Sequence, residues 1–243
     1  MRNIEVCLSP ELIHLFDLED KIVVVVDIFR ATSTMITGLG NGVKSITPVA
    51  DLETCKNFRN QGYIIAGERN GLPAEGFELG NSPLSYLNHA FADKKIAVTT
   101  TNGTLAIEKS KPGSAEIIIG AFLNLRATID YLSAKENDVL IHCAGWKGNF
   151  NLEDSLYAGA LIEALSDYSF NCDGALALKT LYQSVKSDFG TFLSQASHAK
   201  RLQNHNIEAD IDFCLSFNRY DIVGKLVGDE LVAEKIFKTR LTS

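Results

Sequence analysis

The sequence predicts an α/β fold built as two closely packed lobes, each with a mainly parallel sheet and flanking helices. Three observations carry this. Short β-branched runs recur along the chain, as in Ile22–Val26 and Glu116–Ile119. Their apolar residues are continuous rather than alternating, which marks strands covered on both faces. Each run is followed by a polar or glycine-rich patch and then by a stretch of helical pattern, the alternation of α/β proteins.

Taken in order, the predicted strands are Lys21–Asp27, Val43–Val49, Tyr63–Ala66, Lys95–Thr99, Glu116–Ile119 and Asp138–His142. Between and after them, helices are expected over Ala31–Leu39, Asp51–Asn60, Pro83–Phe91, Thr104–Lys109, Leu123–Ala134 and Asp154–Ser166. Beyond Asn171 the pattern changes. Ala175–Gln203 reads as mostly helical, Ile211–Phe217 as a strand, and Asp229–Phe237 as either a helix or a final strand. No linker or repeat marks a boundary. The expected division is residues 1–120 and 121–243, with the functional site between the lobes.

Composition excludes several classes. Hydrophobic residues at 46% and charged residues at 22% are globular values, not those of a disordered chain. The net charge of −7, without Lys/Arg blocks, argues against nucleic acid and anionic membrane as partners. An anionic ligand must therefore be met locally, by a few arginines, backbone N–H groups or a metal. The five cysteines are scattered without a CxxC pair, so zinc ribbons and dithiol redox motifs are unsupported. The N-terminus lacks a signal-peptide layout, and no run approaches a membrane span. A cytoplasmic protein is expected, with homo-oligomerisation left open.

Ligands of open parallel sheets bind beyond the carboxyl ends of the strands. Four such ends carry polar groups: Asp27–Thr34, Gly67–Gly71, Thr99–Thr104 and Cys143–Asp154. Asp27 could be a helix N-cap, but Asp27, Arg30, Thr32 and Ser33 together exceed what one cap needs. Asn102-Gly103-Thr104 at a helix start offers N–H groups and hydroxyls to a phosphate or sulfonate. Glu153 and Asp154 suit a helix N-terminus electrostatically and also suit a metal. Asp27, Glu68, Glu153 and Asp154 supply enough acids for Mg²⁺, which takes a few carboxylates and keeps waters. His142 lies on an apolar run and reads as a core histidine. There is no GxxxxGK[ST], GxGxxG or HExxH, and Phe29 stands where a phosphoaspartyl phosphatase would carry a second aspartate.

Five ordered motifs are similar to those of the 2-phosphosulfolactate phosphatase family. They are Asp27-Ile-Phe-Arg-Ala-Thr-Ser-Thr34, Gly67-Glu-Arg-Asn-Gly71, Gly76-Phe-Glu-Leu-Gly-Asn-Ser-Pro83, Thr99-Thr-Thr-Asn-Gly-Thr104, and Cys143-Ala-Gly145 with Leu152-Glu-Asp154. The resemblance covers about residues 20–160. It implies a Mg²⁺-dependent phosphatase of two similar α/β lobes, acting on (R)-2-phospho-3-sulfolactate on the route to coenzyme M. Asp27, Arg30 and Asp154 are then the catalytic candidates, and Asp27, Glu68, Glu153 and Asp154 the metal ligands. Thr32, Ser33, Arg69, Asn81, Ser82, Thr100, Thr101, Asn102, Gly103, Thr104 and Cys143 are the candidates for substrate binding. Metal-bound water, Asp27 and Cys143 stand as alternative nucleophiles. Two other readings are a phosphatase for a different phosphorylated hydroxy acid, and a non-catalytic sensor or carrier of a small phosphorylated or sulfonated acid.

Overall fold

A computed structural model describes residues 2–69, 71–197 and 207–236. Its strands are β1 (Ile4–Cys7), β2 (Ile22–Val26), β3 (Ser45–Pro48), β4 (Ile64–Arg69), β5 (Leu72–Pro73), β6 (Lys95–Thr99), β7 (Glu116–Gly120), β8 (Val139–Cys143), β9 (Ile222–Val227) and β10 (Glu230–Lys235). The helices are α1 (Ala31–Gly40), α2 (Leu52–Asn57), α3 (Gly103–Ser110), α4 (Leu125–Ser133), α5 (Leu152–Ala164), α6 (Asp173–Val185), α7 (Phe189–Ser194) and α8 (Glu208–Cys214). The predicted α/β class holds, with a large, mostly parallel sheet flanked by helices.

All ten strands join one sheet in the order β1-β8-β2-β7-β9-β10-β3-β6-β4-β5. One parallel half is β1, β8, β2 and β7, centred on β2, whose five residues are all buried. The other holds β3, β6 and β4 in parallel, with the short β5 antiparallel at the edge. The hairpin β9–β10 bridges the halves and is antiparallel to both neighbours. Following these pairings, the two halves run in opposite senses. Strands from either side of residue 120 are hydrogen-bonded neighbours in the first half.

The continuous apolar runs became strands because the sheet hides both of their faces. Helix starts follow their side-chain caps: Asp51 accepts from the Thr54 N–H at 2.8 Å before α2, and Asn151 from the Asp154 N–H at 3.2 Å before α5. Three expectations change. Ile211–Phe217 is not a strand; most of it lies in α8, whose buried Asp210, Phe213 and Cys214 share one helical face. A short apolar run does not by itself separate strand from buried helix, and here the spacing decides. Pro83–Phe91 forms two short 3₁₀ turns, Pro83–Leu87 and His89–Phe91, rather than one helix. Asp229–Phe237 resolves into β10, with Phe237 outside the described residues. Ala175–Gln203 is helical in α6 and α7, and residues 198–203 lie outside the description. Strands β1 and β9 were not anticipated.

Candidate active site

Asp27 follows the last residue of β2 and is buried. Its Oδ1 accepts from the N–H of Ala31, the first residue of α1, at 3.2 Å. The turn between them is tied internally. The Asp27 N–H donates to Thr32 Oγ1 (3.0 Å), Thr32 Oγ1 donates back to the Asp27 carbonyl (2.9 Å), and Ser33 Oγ donates to the Ile28 carbonyl (2.9 Å). The Thr32 and Ser33 hydroxyls thus hold the loop that presents Asp27 and Arg30. The Phe29–Arg30 peptide is cis.

Asp154, fully buried on the first turn of α5, links two of these strand ends. Its Oδ1 accepts from the Ile28 N–H at 2.8 Å, and its Oδ2 from the Gly145 N–H at 3.0 Å and Asn151 Nδ2 at 2.9 Å. Gly145 sits at φ 60°, and a Cβ there would lie 2.3 Å from the Asn149 carbonyl oxygen, so only glycine fits this loop. Burial pushes the Asp154 carboxyl well above the usual carboxylate range, reinforced by the charges of Asp27 and Glu153. Glu153 is likewise fully buried. The Cys143 thiol is buried too, and burial raises it well above an ordinary thiol, with Asp154 adding to the effect.

The other half supplies Glu68 from β4. One of its carboxylate oxygens accepts from the Gly71 N–H. The other accepts from the Thr101 N–H (3.4 Å) and Oγ1 (3.2 Å). Asn70, in the same loop, lies outside the described residues. Arg69 turns back onto the sheet, donating to the Glu68 carbonyl on its own strand at 2.6 Å and to Thr99 Oγ1 on the neighbouring β6 at 3.1 Å. Thr100 and Thr104 bond each other across the start of α3. Asn102 Oδ1 accepts from the Lys147 N–H at 3.0 Å, tying the loop after β6 to the loop after β8. Gly103 brings α3 against Asp27 and α1.

These loops enclose a small cavity lined by Asp27, Phe29, Arg30, Glu68, Gly71, Asn81, Asn102 and Trp146. Both parallel halves contribute, so the sheet must coil for their carboxyl ends to meet. A second cavity of about 300 Å³ shares Arg30, Gly71 and Asn81 and adds Ser82 and Asp210. Among the described residues lining the two, Arg30 is the cation. Its Nη1 is ion-paired to Asp210, and its Nη2 donates to the Gly71 carbonyl at 2.9 Å. Thr34 Oγ1 holds the Asn81 backbone carbonyl at 3.1 Å, while the buried Asn81 side-chain oxygen accepts no hydrogen bond from the described residues. A wider groove of about 740 Å³, along residues 13–20 and the end of α3, contains none of these strand-end residues.

Of the expected site residues, Asp27, Arg30, Glu68, Asn81 and Asn102 converge on the small cavity, and Ser82 borders the second. Arg69, Glu153, Asp154 and Cys143 line neither, and Thr32, Ser33, Thr100, Thr101, Gly103 and Thr104 support the loops around them. Sequence reasoning missed Phe29, Gly71, Trp146 and Asp210. The first three stood inside quoted or adjacent strand-end segments. Asp210 had no local signal.

Among the described residues, no group of three or more His, Cys, Asp or Glu side chains is gathered to hold a metal. The small cavity offers instead two carboxylates, Asp27 and Glu68, with the uncommitted Asn81 amide oxygen. Such hard oxygen donors fit Mg²⁺, which binds through one or two carboxylates and retains waters.

A sequence model of the 2-phosphosulpholactate phosphatase family matches residues 7–229. The chain belongs to this family. Among its relatives, a Thermotoga petrophila protein named "Probable 2-phosphosulfolactate phosphatase" is 41% identical over 218 residues, covering 90% of this chain and 94% of its own. Proteins with the same name from Caldanaerobacter subterraneus and Clostridium beijerinckii are 40% and 33% identical, covering 86% and 96% of this chain and 89% and 100% of their own. Family membership makes the chain a phosphatase, a phosphoric monoester hydrolase. Among the described residues, no helix is long and apolar enough to cross a membrane.

Proposed function

We propose that the chain is a cytoplasmic, Mg²⁺-dependent phosphatase that hydrolyses 2-phospho-3-sulfolactate to sulfolactate and phosphate, the reaction type of coenzyme M biosynthesis. The observation that carries this is the placement of Arg30. The guanidinium is buried where the two cavities meet, on the cavity that Asp27 and Glu68 also line. A buried guanidinium carries more N–H donors than its bonds to Asp210 and Gly71 use, and the remainder suit phosphoryl oxygens. Asp27, Glu68 and the Asn81 amide oxygen would hold Mg²⁺. When bound, the ion supplies neutralisation and Lewis acidity to the phosphoryl group.

The chain's own groups do the rest. Arg30 orients the phosphoryl group, and Asp27 takes the proton of the attacking water. The water oxygen bonds to phosphorus as the ester P–O bond breaks, and the leaving alkoxide takes up the proton that Asp27 accepted. Phe29 and Trp146 narrow the cavity and limit bulk water. Cys143, buried and held as the thiol, serves packing rather than attack. A sensor of a sulfonated acid would share Arg30 but would have no use for two carboxylates beside an anion.

The test is phosphate release from 2-phospho-3-sulfolactate and from 2-phospholactate, by chelator-treated protein with and without added Mg²⁺. Expected is release that Mg²⁺ restores and that favours the sulfonated ester. Full activity in chelated protein would remove the metal from the reading. Equal or better turnover of phospholactate would remove the sulfonate preference.

A further inference from the structure

We propose that Asp210 is the positioning residue of the phosphoryl site: it sets the orientation of Arg30 and limits how strongly the empty site attracts anions. The inference rests on the reading that Arg30 binds the phosphoryl group, and extends it to a part of the chain with no recognisable motif.

Arg30 and Asp210 lie 180 positions apart in sequence, yet their side chains are ion-paired with 4% and 5% exposure. A pair buried this deeply is poor evidence of a stability role, because desolvating both charges offsets most of their attraction. Its geometry is that of a support. Arg30 Nη1 is held by one Asp210 oxygen and Nη2 by the Gly71 carbonyl, which fixes the guanidinium plane from two directions. The second Asp210 oxygen accepts from Ser82 Oγ at 2.6 Å, so the carboxylate is itself held. Helix α8 presents it rigidly, since Phe213 and Cys214 on the same face are buried in the core. Asp210 borders the larger cavity but not the small one that Asp27 and Glu68 line, so it acts on Arg30 from the side.

The charge balance gives this arrangement a signature. Without Asp210, Arg30 would lose the carboxylate paired directly to it and would bind anions more tightly, but in a less defined orientation. Asp210→Asn keeps the shape and an acceptor for one neighbour while removing the charge. Expected is a fall in kcat of about tenfold or more together with tighter binding of inorganic phosphate, since placement errors tax the transition state more than binding. Ser82→Ala leaves the charge in place and loosens the carboxylate. It should lower kcat by a smaller factor and leave phosphate affinity unchanged.

The experiment measures kcat and KM for the phosphate ester, and inorganic phosphate binding by calorimetry, for wild type, Asp210→Asn, Ser82→Ala and Arg30→Lys. Lower kcat with tighter phosphate binding in Asp210→Asn supports the proposal. If Asp210→Asn is too unstable to purify, a lowered kcat at unchanged phosphate affinity in Ser82→Ala supports it, and unchanged kcat there overturns it. Unchanged kcat and phosphate affinity in Asp210→Asn, with only a lower melting temperature, overturns it by making the pair structural. If Arg30→Lys also leaves phosphate binding and kcat unchanged, the phosphoryl role of Arg30 fails, and the proposal with it.

Discussion

Gly103 is the tightest joint around Asp27, and replacing it with alanine tests whether Asp27 must sit where the structure places it. A Cβ on Gly103 would lie 2.6 Å from the Ala31 Cβ and 2.9 Å from Asp27 Oδ2. Comfortable carbon–carbon contact is roughly 3.5–4.0 Å, so the starts of α1 and α3 must part by about 1 Å. Overpacking of this kind costs about 1–3 kcal/mol. For a chain of this size that lowers Tm by roughly 2–12 °C, at about 2–4 °C per kcal/mol. The functional loss should be larger, because a displacement of about 1 Å at a reacting group can cost about a hundredfold in rate. Gly174, in the first turn of α6, is the control: a Cβ there meets nothing within 4 Å. Gly174→Ala should be neutral or stabilising by about 0.4–1 kcal/mol through the unfolded chain. Thermal melts and kcat/KM on both variants make the comparison. Wild-type melting and turnover in Gly103→Ala would refute the argument, since the helices would then part without moving Asp27.

Asp27→Asn should abolish most turnover while circular dichroism and Tm stay near wild type, because an amide oxygen still accepts from the Ala31 N–H; near-normal turnover would reduce Asp27 to a helix cap. Arg30→Lys cannot bond both Asp210 and the Gly71 carbonyl as the planar fork does. Losing one charge-assisted bond, about 1.5–3 kcal/mol, predicts a drop of about one to two decades in kcat/KM, and an unchanged value would sink the clamp. His142, bonded through Nδ1 to Ser110 Oγ at 2.8 Å, is pulled down to about 4 by burial and then by the Lys109 charge. The folded chain therefore binds fewer protons there than the unfolded chain. The stability this contributes is intact above pH ~6.5, the ordinary histidine value, and is lost as pH falls toward 4; it amounts to about 3 kcal/mol. His142→Gln should flatten that limb of a stability-versus-pH series, and an identical slope in both proteins would contradict it.

Much of the fold was legible because β2, β6, β7 and β8 are buried on both faces, and burial writes an unbroken apolar run such as Ile22–Val26. Strands β1 and β9 were not legible, being less uniformly apolar; β9 runs from buried Ile222 to exposed Val227. Its turn, Gly228-Asp229, was the available hairpin signal. Of the candidate site, the rule about strand ends located Asp27, Glu68 and Asn102, because it depends only on where runs stop. It could not separate residues that face the cavity from residues that brace it. Thr32 and Asp154 carry the same polar letters as ligands, but Thr32 bonds the Asp27 backbone, and Asp154 bonds the Ile28 and Gly145 N–H groups and the Asn151 side chain. Asp210 was out of reach for a different reason: its partner lies across the fold, and a tertiary ion pair leaves no periodic trace in a single sequence.

The hairpin β9–β10 is central in space but late in the chain. A ribosome delivers β7 and β3 long before residues 222–235, and until the hairpin arrives each of those two strands has an open side. Open strand edges template pairing between molecules, and intermediates that display them are prone to aggregate. The hairpin thus acts as the keystone that closes two half-sheets into one. It follows that premature termination in this short stretch would be far more harmful to solubility than its length suggests, because it leaves two half-sheets unjoined rather than one strand missing.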